Sequence, residues 1–194
     1  MRLQIVCIAG FGLLVSACGP HLGSYAVGEV SVVSAYPDGP DGSGSIEDVA
    51  KHYPKLLRVE IISKFDLSKA ETGAGLYVHG DFCPLSSADR LIVLEVKAKD
   101  GTPVEGWQRK TTLEPDPADG QFHYFLYLAP SSPARKAFSN SQDVIPAYDL
   151  RKTREAICLR LTVPAYYITK SVSHTLHVPA DAIVRALALT APSS

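Results

Sequence analysis

The chain has 194 residues, with 19 Lys and Arg against 20 Asp and Glu and a formal net charge of -1. A near-neutral balance without a basic stripe gives no field to gather nucleic acid, and it disfavours a mainly electrostatic hold on a membrane. No internal repeat or heptad pattern occurs, and the length beyond residue 17 suits one domain with a substantial core.

Met1 and Arg2 precede LQIVCIAGFGLLVSA (Leu3 to Ala17), where only Gln4 and Ser16 are polar. A charged start, a short apolar run and small residues before a break have the layout of a secretory signal peptide. A membrane-spanning helix needs about 20 apolar residues, and this run stops short. Val15-Ser16-Ala17-Cys18 resembles the lipobox of bacterial lipoproteins. That resemblance implies a lipid on the Cys18 sulfur and cleavage between Ala17 and Cys18. Two or more acyl chains, palmitate among them, then anchor the protein stably. Gly19 stands where an aspartate would signal inner-membrane retention. The resemblance therefore points to the outer membrane, with the protein facing the periplasm.

Residues 18–45 are rich in Gly, Ser and Pro and read as a lipidated N-terminus and flexible tether. Within them VGEVSVVSAY (Val27 to Tyr36) has the composition of a strand that could still join the domain. DGPDGSGS lacks the EF-hand spacing and its closing glutamate, so a turn-rich linker is the better reading. A single domain is expected over residues 46–190. It begins with a short helix in SIEDVAKHYP, with Ser45 as cap, Asp48 in the first turn and Pro54 past the end.

The apolar period then changes to alternation. LRVEI sets Leu57, Val59 and Ile61 against Arg58 and Glu60, and GLYVHGDFC sets Leu76, Val78 and Phe82 against Tyr77, His79 and Asp81. RLIVLEVKAK sets Ile92, Leu94, Val96 and Ala98 against Glu95, Lys97 and Lys99. AICLRLTV sets Ile157, Leu159, Leu161 and Val163 against Cys158, Arg160 and Thr162. These patterns predict half-buried strands separated by turns such as KDGTP. QFHYFLYLA (Gln121 to Ala129) is apolar on both faces, as a central strand is. YYITKSVSHTLHV is either one long strand or a hairpin near Lys170-Ser171, and ADAIVRALAL reads as a helix with Asp181 and Arg185 at i,i+4 spacing. The predicted fold class is mainly β: an antiparallel β-sandwich with one or two short helices, preceded by a signal peptide and a tether.

PSSPARKAFSNSQDVIPAYDLRKTRE (Pro130 to Glu155) is a long connection. Ser132-Pro133 has the signature of a short helix through Phe138. Its basic residues Arg135, Lys136, Arg151, Lys152 and Arg154 form a candidate docking surface for an acidic partner. The competing reading is a solvated crossover between two sheets.

Of four cysteines, Cys7 leaves with the signal and Cys18 carries lipid. Cys83 and Cys158 remain, and export would place them where disulfides persist, so a Cys83–Cys158 bridge is expected in preference to two buried free thiols. Neither a CxxC nor a Cys/His ligand spacing occurs, so no metal or other cofactor is expected. His174 and His177 would face opposite sides of a continuous strand. No GxSxG, HExxH, GxxxxGK[ST] or GxGxxG motif occurs, so no catalytic residue is expected. Tyr77, His79 and Asp81 share one strand face, the pattern of an acid–base or metal pair but also of any solvated sheet. Asp116 and Asp119 in EPDPADGQ read as turn formers.

The sequence therefore predicts a non-enzymatic accessory or assembly protein, bound to the membrane through Cys18 and to an envelope protein. The alternative is a module for glycan, peptidoglycan or a small ligand, using rings such as Trp107, Tyr124, Tyr127, Tyr166 or Tyr167. A hydrolase would need a constellation assembled from distant residues, and nothing local announces one.

Overall fold

The computed structural model describes residues 22–34, 53–70, 75–86, 88–104, 113–137, 142–163 and 171–189. The lipobox with Ala17 and Cys18, the helix expected in SIEDVAKHYP, Trp107, Tyr166 and Tyr167 lie outside them. So does the possible turn at Lys170.

The chain is mainly β, with its long strands antiparallel, as the alternation predicts. β1 (Ala26–Ser34), β2 (Lys55–Ser63), β4 (Val93–Ala98) and β5 (Phe122–Leu128) form one sheet in the order β1-β2-β5-β4. The second sheet is built on β10 (Ile157–Val163). β3 (Tyr77–Phe82) pairs along one edge of β10, and β11 (Ser171–Val172) and β12 (Leu176–Val178) share the other. The pairing Thr162↔Val172 shifts by one residue by Leu159↔Leu176. β11 and β12 thus act as one strand carrying a bulge at residues 173–175, where the Ser173 Oγ accepts the Leu161 amide at 3.0 Å. The sequence of this segment fits both a long strand and a hairpin, and residues 171–178 take the strand form.

Side chains from the two sheets meet in one core. Leu57, Val59 and Ile61 of β2 and Tyr124, Leu126 and Leu128 of β5 share it with Ile157, Leu159 and Leu161 of β10. Full burial of each aliphatic side chain contributes about 1.5–3 kcal/mol. β5 is central, as its two apolar faces suggest. Both sides of β10 are also covered: Cys158 and Thr162 are buried alongside the inward leucines. The expectation of a half-buried β10 is corrected accordingly. On the outer side of the first sheet Leu56, Lys97 and Tyr127 are buried as well.

The phase of β4 also differs from expectation. A register shift between Val93 and Glu95 moves Val93 onto the core, opposite Leu128, in place of Ile92 and Leu94. Val96 and Ala98 keep their predicted inward side.

The two sheets are stitched at both corners. At one, Leu91 N donates to Gly80 O at 3.0 Å. A Cβ at Gly80 would lie 3.1–3.2 Å from Leu159, Leu91 and Val93, so glycine permits this close crossing. At the other corner Leu22 N donates to Val172 O, and His174 N to Gly23 O. Gly23 has φ +92° and packs against Phe65 where a Cβ would collide. The folded unit therefore reaches back to Leu22 and includes β1, ahead of the boundary at residue 46 that composition suggested.

The long connection is ordered where described. β6 (Ser131–Ser132) pairs with β9 (Tyr148–Asp149), and β7 (Arg135–Lys136) with β8 (Val144–Ile145). These pairings replace the helix expected from Ser132 to Phe138, because Ser132, Arg135 and Lys136 find ladder partners across the connection. Tyr148 reaches into the core from it. Its hydroxyl accepts Ile92 N and donates to Ala129 O, both at 3.0 Å. Its ring meets Phe82 edge to face at 6.5 Å, and burial pushes the phenol up to about 12. α1 (Ala180–Ala188) follows Pro179 and buries Ile183 and Ala186, with Arg185 bonded to Asp181 on its outer side as the i,i+4 spacing predicts. No helix among the described residues is long and apolar enough to cross a membrane.

Candidate functional site

Two places gather polar side chains beyond what the fold alone needs. The first is a cleft of about 760 Å³ between the end of β4 and the segment leading into β5. Its walls include Lys99, Leu113, Asp116, Phe122, His123 and Tyr124. The turn before β5 is built by its own aspartates. Asp116 Oδ1 accepts Ala118 N and Asp119 Oδ1 accepts Gln121 N, each at 2.9 Å, as the turn reading predicts.

The same two residues also carry ion pairs that the sequence did not reveal. Asp116 binds the Lys99 ammonium. His123 sits between carboxylates, with Nδ1 2.8 Å from Glu60 Oε1 and Nε2 2.9 Å from Asp119 Oδ2. Carboxylates only accept, so each contact forms when the facing ring nitrogen carries a proton, and the pair together favours the imidazolium. The bond to Glu60 is the largest cause raising His123 above its ordinary 6.5, with Asp119 adding to it. Burial works against ionisation of Glu60, but the Glu29 amide and His123 outweigh it and hold the carboxyl below its usual range. Asp119 is lowered chiefly by the Gln121 amide and then by His123, and Asp116 chiefly by Lys99. Gly28 makes room for this arrangement, since a Cβ there would run into the Glu60 carboxylate.

The second place is the outward face of the β3–β10 pair, where the sequence set Tyr77, His79 and Asp81. The alternation holds, but the three residues part company. Tyr77 is 55% exposed, His79 is half-buried and Asp81 is fully buried. Asp81 is satisfied by the Phe82 amide, the Ser86 hydroxyl and the Arg90 guanidinium. That pairing offsets the cost of burying its charge. Arg90 in turn lies 4.8 Å over the Phe82 ring. His79 Nδ1 donates instead to Asp89 Oδ2 at 2.6 Å. Asp89 has φ +46°, a left-handed conformation that aspartate tolerates better than most residues. Three polar atoms here are shielded and have no partner: Asp89 Oδ1, Arg160 Nε and Thr162 Oγ1. Each such atom typically costs about 1–3 kcal/mol.

Cys83 and Cys158 come together beside this face, with Cα atoms 5.1 Å apart and sulfurs at bonding distance. The basic residues of the long connection differ in their partners. Arg135 donates to the carbonyls of Arg90 and Asp89 at 3.1 and 2.9 Å. Arg151 grips Asp149 with two bonds, holding that carboxyl below its usual range, and Lys152 lies 3.9 Å from the same group. Lys136 and Arg154 are exposed. Tyr124 and Tyr127 are buried, which withdraws them from a ring platform for sugars. His174 shares a 2.6 Å hydrogen bond with Ser24, and no group of three metal-ligating side chains occurs among the described residues.

No family model, curated protein or solved structure matches the chain.

Proposed function

We propose that this chain is a lipid-anchored protein of the bacterial envelope, held at the outer membrane by acylated Cys18, that works by binding rather than by catalysis. The anchor rests on the apolar run ending in Val15-Ser16-Ala17-Cys18. The observation that carries the binding reading is the state of the charged groups in the cleft. Both ring nitrogens of His123 are occupied by carboxylates of the chain, Glu60 and Asp119, and the Lys99 ammonium is bonded to Asp116. Such groups shape and orient a surface. Beside them Leu113 and Phe122 supply apolar contact, a combination typical of binding clefts. The partner in this reading is another envelope protein, and Lys136 and Arg154 are the residues left to meet its acidic groups. The cleft volume also falls within the range of about 300–1,000 Å³ common to small-ligand sites. A small ligand is therefore the second reading.

A photo-crosslinking side chain at Glu114, on the cleft wall, tests both in cells carrying the full-length protein. A protein adduct supports the assembly reading and a glycan or small-molecule adduct supports the second. No adduct from a folded, anchored protein sinks the cleft as a binding site. Replacing Cys18→Ser in the same cells should abolish palmitate labelling and release the protein from membranes. Unchanged labelling or retention overturns the anchor.

A further inference from the structure

Cys18 stands four residues before Leu22, and Leu22 is fixed in the fold. Leu22 is only 2% exposed, its amide donates to Val172 O, and its carbonyl accepts the Tyr25 hydroxyl at 2.8 Å. A fully extended chain of that length spans at most about 14 Å. A lipid on the Cys18 sulfur therefore holds the folded unit beside the bilayer and leaves no long tether between them. The Gly- and Pro-rich residues 35–45 come after β1, whose Ser34 end lies about 26 Å along the strand from Ala26.

The end of the first sheet nearest Cys18 carries an open concavity of about 600 Å³, distinct from the cleft. The ladders set Ala26 opposite Ile62 and Ser63 opposite Phe122, so the start of β1, the end of β2 and the start of β5 meet at this end. Tyr25, Ile62 and Phe65 line the concavity, each half-buried, and Lys64 is exposed among them. The lining is held by the fold itself: Ser63 Oγ donates to Ser24 O at 2.8 Å and accepts Phe65 N at 3.0 Å. The nearby carboxylates do not face it as free charges. Asp66 is buried and lies 3.8 Å from the Lys69 ammonium, and Asp119 is bonded to His123. Aromatic rings with an exposed lysine among them suit the boundary of a bilayer, where rings meet apolar chains and an ammonium reaches phosphate.

We propose that this end of the first sheet packs on the bilayer that holds Cys18, with the lipid surface as the occupant of the concavity. Tyr25, Ile62 and Phe65 meet the lipid, and Lys64 reaches its phosphates. The short link keeps the concavity beside the bilayer at high effective concentration, so weak apolar contact suffices to orient the domain. Ser34 and Lys55, paired at the other end of the β1–β2 ladder, are then held away from the membrane. The proposal rests on the acylation of Cys18 in the reading above.

The test places the mature, acylated full-length protein in vesicles of phosphatidylethanolamine and phosphatidylglycerol. The vesicles also contain phosphatidylcholine with a photoactivatable diazirine near the glycerol end of one acyl chain. Adducts are mapped by peptide mass spectrometry, which needs no substitution in the domain. Yields several-fold higher at Tyr25 and at Ile62 to Phe65 than at exposed Ser34, Lys55 and His177 are expected. Even labelling over these positions shows tethering without docking and overturns the proposal, as does a pattern centred on another face. A Gly/Ser segment inserted after Gly19 separates contact from mere proximity. A docked domain keeps its pattern of adducts, and loss of the pattern overturns the proposal. The mass of the N-terminal peptide reports the lipid independently of the adducts. An unmodified Cys18 overturns the anchor and this proposal together, whereas an acylated Cys18 with even labelling overturns the docking alone.

Discussion

Glu60 Oε1 lies 2.8 Å from His123 Nδ1, and the two residues sit diagonally across the β2–β5 ladder. Their bond, continued from Nε2 to Asp119, clips the turn before β5 to the neighbouring strand.

Charge on this clip makes stability depend on pH from both sides. His123 titrates above its ordinary 6.5 in the folded chain. Its contribution is complete below that value and fades as pH rises through the raised one. Glu60 and Asp119 titrate below their ordinary 4.5 and 3.8. Their contributions are complete above those values and fade as pH falls through the lowered ones. The clip is therefore strongest between about pH 4.5 and 6.5. Urea midpoints of the parent should decline on the alkaline side, and His123→Gln should lose that decline. An identical decline in both proteins would assign it to another group.

The Cys83–Cys158 bridge closes a loop with a sequence separation of 75. Closing so long a loop restricts the unfolded chain by about 4 kcal/mol. Reduction, verified by thiol labelling, should lower the melting midpoint by many degrees. A reduced chain that melts unchanged would show that the sheet contacts of β3 and β10 suffice alone.

Tyr148 joins two backbone groups that no strand ladder reaches, Ile92 N and Ala129 O. Tyr148→Phe keeps the edge-on contact with Phe82 but leaves both without this partner. A loss of about 1–3 kcal/mol in urea unfolding is expected, the range for stranding a buried polar group. A change below about 0.5 kcal/mol, the size of an ordinary surface substitution, would mean that water replaces the hydroxyl.

Much of the architecture was legible because half-buried strands imprint their period on the sequence. Leu57, Val59 and Ile61 alternate with polar residues, and β5 betrays its central place by being apolar on both sides. The bulge in β4 left no such mark. It inserts one residue between Val93 and Glu95 and reverses the phase before it, although every residue there is compatible with a strand. Gly80 looked like any glycine until the sheet corner gave it neighbours. The clip was invisible for a different reason. Glu60 and His123 are 63 positions apart and meet only because the β2–β5 register sets them on a diagonal. The lone Arg160 was visible as one polar residue in alternation. That its Nε has no partner is a property of the assembled face.

Arg135 and Lys136 are adjacent and look alike in sequence, but the fold separates their roles. Arg135 reaches across to two carbonyls, Asp89 O and Arg90 O, and so braces the segment that presents Asp89 to His79 and Arg90 to Asp81. Lys136 is exposed. Hydrogen bonds involving a charged group contribute about 1.5–3 kcal/mol each, less where water competes. Arg135→Ala should therefore cost about 1–3 kcal/mol, whereas Lys136→Ala should stay within about 0.5 kcal/mol. In the photo-crosslinking experiment the order should reverse: Lys136→Ala weakens capture of an acidic partner while the fold persists. Equal stability losses for the two substitutions would show that the Arg135 brace adds nothing, and would return both residues to the surface as a single basic patch.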